Sequence, residues 1–197
     1  MKIEDILEDA SPLVKITLVL LFMKNKEKIQ GKLWLQKELY MIAKKLEALS
    51  AEELYEAHYF GQFSESAEVA VEQIAMLGLL EPRKSGFNLS KFGEEVAEEA
   101  KKQFSPESIQ FIEEVKEFLN DLEEDELLGY IYNAYPEMAE ISVKKDIINQ
   151  KRVEIAVQLY LKDKISLGKA VEIAGIDRID LIELIKERNS TVEMYAE

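Results

Sequence analysis

The sequence contains no cysteine. That excludes disulfides, thiol nucleophiles and thiolate metal sites, and it fits a reducing cytoplasm. Histidine occurs once, at His58, and tryptophan once, at Trp34. There is no H-E-x-x-H, no G-x-S-x-G, no Walker loop and no G-x-G-x-x-G, so the residues of the common hydrolase, nucleotide and dinucleotide sites are missing. His58 with Glu52, Glu53 and Glu56 has helical spacing, but a zinc site wants further ligands. No catalytic residue, cofactor or metal is assigned. Long apolar runs are also lacking. Leu13 to Met23 is interrupted by Lys15 and Thr17; it falls short of the roughly 20 residues that span a bilayer and reads as a core helix. The N-terminus MKIEDILEDA is acidic, unlike a secretion signal. The expectation is a cytoplasmic protein with no membrane partner.

Cations are scarce. Against 25 Lys and Arg stand 39 Asp and Glu, a net charge of −14. The excess is uneven: residues 151–197 carry a net −1, whereas Glu94 to Glu126 alone carry −10. Proteins that engage nucleic acid through their whole surface show the opposite sign, because phosphate attraction supplies most of the affinity. The acidic block reads as a solvated helix face.

What is present is mostly helical. Ser11-Pro12 and Ser105-Pro106 are helix starts, each a capping hydroxyl followed by a proline whose missing N–H costs nothing there. A helix from about Lys32 to Leu49 has Leu33, Leu35, Leu39, Tyr40, Ile42, Ala43 and Leu46 on its apolar side. Ser50 and Glu53 have capping-box spacing. Ser64 caps a helix with the stripe Ala67, Ala70 or Val71, Ile74 and Leu77, and Gly78 suits a left-handed helix end. Leu79-Leu80-Glu81 then extend, Pro82 to Gly86 turn, and Phe87-Asn88-Leu89 return to Ser90, which opens another helix. Helix, two short strands and helix is the order of a winged helix. A further helix carries Ile109, Ile112, Val115, Leu119 and Leu122, and another ends at Tyr135 before Pro136.

The stretch Lys144 to Gln150 is short, polar and mixed, and a domain boundary is placed there. The expected domains are 1–147, a winged helix with a helical extension, and 148–197, a small helix-turn-helix. In the latter Ile155, Ala156, Leu159 and Tyr160 face inward, then Ala170, Ile173 and Ala174, then Leu181, Ile182 and Ile185. Ser166 and Asp177 cap its second and third helices. Ala170 with Gly175 five residues on fits two helices meeting closely at a glycine turn.

The segments KLWLQKELYMIAKKL, FGQFSESAEVAVEQIAMLGLLE and FNLSKFGEEVAEE together resemble the YwgA-like or Panacea-type winged-helix proteins of archaea and bacteria, as does YIYNAYPEMAEIS. The resemblance covers roughly Ser11 to Lys145. Arg152 to Asn189, with RVEIAVQLY and KISLGKAVEIAG, resembles a family of small archaeal helix-turn-helix proteins regarded as antitoxin-like. These resemblances imply a toxin–antitoxin, phage-linked or regulatory setting and supply no catalytic residue.

The helix before the wing would enter the major groove, yet it presents Glu65, Glu68, Glu72 and Gln73 and has no Lys or Arg between Ser64 and Leu80. The candidate contacts to DNA or a partner are therefore Arg83 and Lys84 at the wing, Lys91 after it, and Lys162, Lys164, Lys169 and Arg178 in the C-terminal segment. The first residues of a recognition helix lie near base edges, and Asp177-Arg178-Ile179-Asp180 is poor material for that. Trp34, Tyr40, Tyr55, Tyr59, Phe60 and Phe63 cluster as core or interface anchors. Tyr130, Tyr132 and Tyr135 cannot all face one side of a helix, so at least one is expected at the surface or at a contact. The expected function is a non-enzymatic regulatory or antitoxin-like protein. It would be a homodimer, using both units mainly for protein contacts, with a toxin-like protein as one candidate partner. The alternative is a DNA-binding transcriptional regulator acting as a dimer.

Overall fold

Four serines, Ser11, Ser90, Ser105 and Ser166, each accept a hydrogen bond on Oγ from the backbone N–H three residues on, at 3.0–3.2 Å. Each opens a helix by satisfying one of its orphan donors, as the sequence predicts. The computed structural model describes residues 2–46, 65–82, 86–140 and 142–195. The described residues are mostly helical and fall into two compact units, one ending at Asp121 and one beginning at Leu122. Among them no helix is long and apolar enough to cross a membrane. His58, Ser64, the Ser50/Glu53 capping box, Tyr55, Tyr59, Phe60 and Phe63 lie outside the described residues, as do Arg83 and Lys84 at the turn.

The first unit contains α1 (Ile3–Asp9), α2 (Pro12–Lys26), α3 (Lys32–Lys45), α4 (Glu65–Met76), α5 (Lys91–Lys101) and α6 (Pro106–Leu119). Helix α2 is its axis. It buries Leu13, Val14, Ile16, Leu18, Val19, Leu20 and Leu21 and packs against α4, α5 and α6. A helix apolar on nearly every side belongs in a core. Thr17, also fully buried, disposes of its hydroxyl by donating to Leu13 O at 2.7 Å.

The chain leaves α2 through three consecutive left-handed residues, Lys24 (φ 52°), Asn25 (φ 51°) and Lys26 (φ 62°). None is glycine, and such a run costs energy that its surroundings must offset. The end of α6 does this. Lys116 Nζ donates to Leu21 O and Met23 O, both at 2.9 Å, which places a cation on the carbonyl end of α2. Asn120 donates to Lys28 O at 2.9 Å and accepts from Gln30 N at 3.2 Å, and Lys24 pairs with Asp121 and Glu27. The clamped connector then delivers Ile29 to an antiparallel bridge with Phe87.

The expected two-stranded wing is corrected here. Among the described residues there is no strand, only the isolated bridges Ile29–Phe87 and Leu80–Leu89. Glu81 N donates to Asn88 O at 3.1 Å and Ser90 N to Leu79 O at 2.8 Å. The physical reason is brevity. Leu79 follows directly on the α4 end at Gly78 (φ 70°), and Pro82 lacks the N–H to extend a ladder. Gly93 lies in the first turn of α5, where a Cβ would stand 2.0 Å from Leu79 O, so only glycine lets α5 pass the outgoing segment.

The second unit contains α7 (Glu124–Ala134), a 3-10 turn (Pro136–Met138), α8 (Lys145–Leu161), α9 (Leu167–Ala174) and α10 (Arg178–Tyr195). The boundary expected between 147 and 148 falls inside α8. That polar stretch is the first two turns of a continuous helix, held to α7 through Lys144–Glu124 and Lys151–Asp125. Gly129 of α7 lets α8 approach, since a Cβ there would lie 2.7 Å from Ile155 Cγ2. Ala170, Ala174 and Leu181 are fully buried, and Gly175 adopts the left-handed geometry (φ 60°, ψ 33°) that turns α9 into α10. Residues 148–195 thus contain most of α8, then α9, the Gly175 turn and α10, and α8 packs on α7 as well.

Candidate interaction surfaces

Two helices are the ones that the sequence reading offers as recognition-helix candidates: α4, before the Leu80–Leu89 bridge, and α10, after the Gly175 turn. Helix α4 buries Ala67, Ala70 and Ile74. Glu65, Val69, Glu72, Gln73 and Met76 are exposed, Val69 to 51% and Met76 to 84%. At 3.6 residues per turn, positions 65, 69, 72 and 76 fall within about 60° of arc, so two carboxylates and two apolar side chains form one narrow stripe. Glu68 lies beside it, half-buried and paired with Lys32. Flanking the stripe is a recess of about 190 Å³ lined by Leu35, Ala67, Val71 and Phe87 together with the polar Lys32, Gln36, Glu68 and Glu72.

Helix α10 begins with Asp177 Oδ1 accepting from Ile179 N at 2.8 Å, the cap the sequence predicts. Its first turns expose Arg178, Ile179 (67%), Asp180, Glu183 and Leu184. One cation there stands among carboxylates and apolar side chains.

The remaining candidate contacts are dispersed. Lys91 is exposed on the first turn of α5. Lys162 is tied to Glu126, Nζ to Oε1 at 2.6 Å, and that carboxylate is 2% exposed. Lys169 pairs with Glu172 at 2.9 Å along its own helix. Lys164 is half-buried, its N–H donating to Leu159 O at 2.9 Å. Of the four cations expected to form a C-terminal rim, at least two are thus matched to carboxylates, and Arg178 is the exposed one at a helix start. Arg152, not singled out by the sequence, lies over the turn: its guanidinium carbon would stand 2.9 Å from a Cβ at Gly175.

Of the tyrosines, Tyr132 is buried with its hydroxyl 2.5 Å from Ser142 Oγ. Tyr130 and Tyr135 are half-buried, and burial pushes all three phenols up. Sequence reasoning missed the interior charges. Glu38 and Lys116 are fully buried and Lys37 nearly so. Burial pushes both ammonium groups down to about 8, with Glu38 pulling Lys116 back up. Burial raises the Glu38 carboxyl well above its ordinary range, opposed by Lys116 and Lys24. Lys116 reaches from here to the Lys24–Lys26 exit, where its ammonium meets Leu21 O and Met23 O. Among the described residues no group of three or more His, Cys, Asp or Glu could hold a metal ion.

Comparison with known proteins places one segment. Residues 133–197 match a family model described as Uncharacterised protein family (UPF0175). The matched segment starts in the last turn of α7 and contains α8, the Gly175 turn and α10, so the similarity covers the helix-turn-helix. No match supports the resemblance of residues 11–145 to YwgA-like or Panacea-type proteins. No curated protein and no solved structure matches the chain.

Proposed function

We propose that this chain is a non-enzymatic regulatory, antitoxin-like protein of the cytoplasm. It uses a winged-helix-like first unit and its C-terminal helix-turn-helix mainly for protein contacts, the latter as a homodimerisation or partner-binding element. One observation carries the reading: the outward faces of both groove-candidate helices, α4 and α10, present carboxylates beside exposed apolar side chains. Near a duplex those carboxylates meet phosphates at a Coulomb penalty. At a protein interface the apolar side chains gain from burial, and the carboxylates choose the partner. The antitoxin-like setting rests on the sequence resemblance of residues 152–189. Light scattering on the intact protein, with co-purification from its native lysate, tests the reading. A dimer or a stoichiometric protein complex is expected. A strict monomer that captures no partner contradicts it.

A second reading, a dimeric DNA-binding regulator, is favoured by one observation. Arg178 is exposed at the start of α10, where recognition helices touch DNA. It requires gel shifts on genomic fragments at low salt that weaken steeply with added salt and vanish in Arg178→Glu.

A further inference from the structure

The narrow stripe on α4 has a specific composition that no interaction described so far uses. Glu65 and Glu72 lie two turns apart, about 10.5 Å along the axis, with Val69 between them and Met76 one turn beyond. The helix carries no cation of its own. Lys32 is engaged with Glu68, and among the described residues no ion pair involves Glu65 or Glu72, which stand as negative charges around exposed apolar surface. A methionine 84% exposed at the end of a helix is an adaptable apolar contact. The recess of about 190 Å³ beside Glu72 is lined by Leu35, Ala67, Val71 and Phe87 together with Lys32, Gln36 and Glu68, so it already holds a cation, and the charge that a partner would meet is that of Glu65 and Glu72 on the exposed stripe.

The geometry points to α4 as the docking face for a basic amphipathic helix of a partner protein. Two of its Lys or Arg side chains, about seven residues apart, would meet Glu65 and Glu72, while an apolar stripe between them covers Val69 and Met76. This rests on the protein-contact reading above and narrows it to a surface and a partner chemistry. A nucleic acid does not fit, because the stripe offers it two anions. An acidic helix fails for the same reason. A neutral apolar helix gains the burial and leaves both carboxylates desolvated without partners.

Three synthetic helices test it against the full-length chain. They share one Leu/Met stripe and differ only at two flanking positions seven residues apart, which are both Arg, both Gln or both Glu. Binding is read by titration, with the footprint followed on the Met76 and Val69 methyl groups by NMR. The Arg helix is expected to bind about 5- to 10-fold more tightly than the Gln helix, since two exposed pairs together contribute on the order of a decade. The Glu helix is expected to be weakest. Glu65→Lys/Glu72→Lys, both surface changes, should reverse that order, and Met76→Asp should weaken all three peptides. Equal binding of the three, no binding of any, a footprint away from α4, or duplex DNA displacing the Arg helix from this face would each overturn the assignment. A native partner that maps to α10 instead also overturns this docking face while leaving the regulatory reading intact. A chain that takes no native partner yet ranks the peptides as stated contradicts the regulatory reading alone.

Discussion

Lys162 Nζ lies 2.6 Å from Oε1 and 2.8 Å from Oε2 of Glu126, whose carboxylate is 2% exposed. The same carboxylate accepts from Glu123 N at 2.9 Å and so closes the capping box at the start of α7. A lysine that reads as part of a phosphate-facing rim is thereby occupied with a buried acid of its own unit. Removing it leaves that acid with a backbone donor and no cation. We expect Lys162→Met to destabilise the second unit by about 1–3 kcal/mol, as for a buried group that loses a charged partner. Lys162→Met/Glu126→Gln should recover most of the loss, because the amide oxygen still accepts from Glu123 N and no charge is stranded. Denaturant midpoints of the two variants decide this. Equal midpoints for Lys162→Met and the wild type would show the pair to be merely a surface contact.

The interior charges of the first unit predict opposite pH trends. Glu38 holds its proton in the folded state at pH values where the unfolded chain, near 4.5, has lost it. Folded protein then binds more protons than unfolded, so this group makes stability fall as pH rises above that value. Lys116 and Lys37 titrate at about 8 when folded and 10.5 when unfolded. Between those values the unfolded chain binds more protons, and stability rises with pH. Glu38→Gln should flatten the fall on the acid side and leave the alkaline rise. Urea midpoints measured from about pH 5 to about pH 10 check both limbs.

Lys116→Met should cost about 2–4 kcal/mol. It strips two hydrogen bonds from Leu21 O and Met23 O, which are left without their cation beside three left-handed residues, and it removes the charge that opposes the rise of the buried Glu38 carboxyl. Hydrogen exchange should report the damage first at the exit of α2 and at the Ile29–Phe87 bridge. Uniform loss of protection through the unit would contradict a local clamp.

Two glycines give a graded pair of outcomes. Gly93→Ala places a methyl 2.0 Å from the backbone oxygen of Leu79, which cannot retreat without breaking the Leu79–Ser90 pairing, and should cost about 3 kcal/mol or more. Gly175→Ala combines a left-handed φ of 60° with a contact 2.9 Å from the Arg152 guanidinium. The guanidinium is the far end of a flexible side chain, so the collision is relieved by Arg152 moving and the backbone strain of about 1–2 kcal/mol remains. Thermal melts should rank Gly93→Ala below Gly175→Ala.

Legibility in the sequence followed the locality of the interactions. The caps at Ser11, Ser90, Ser105 and Ser166 and the left-handed turns at Gly78 and Gly175 depend on neighbours within a few residues, and the sequence shows them. Leu79 to Leu89 has strand-like residues and so reads as a wing, but Pro82 and the start of the outgoing segment directly after Gly78 leave room for single bridges only. The polar stretch from 144 to 150 reads as a linker because its partners, Glu124 and Asp125, lie some twenty residues away; in the structure it opens α8. The burial of Lys116 and Glu38 depends on partners distant in sequence and is not singled out there, although a lysine between Ile112 and Leu119 on an otherwise apolar stripe is a visible signal. On α4 the glutamates were legible from the start. Val69 and Met76 beside them were not, because an apolar residue off the core stripe does not announce whether it is covered.

The central claim is that α4 and α10 face protein and not nucleic acid. The most direct test is an anisotropy titration of the intact protein against sheared genomic DNA at low salt, with the charge-reversal variants Arg178→Glu and Glu65→Lys/Glu72→Lys alongside. The account predicts no saturable binding by the wild type or by Arg178→Glu, and weak, salt-sensitive binding gained only when the two glutamates become lysines. Saturable wild-type binding that weakens steeply with salt and disappears in Arg178→Glu would contradict it.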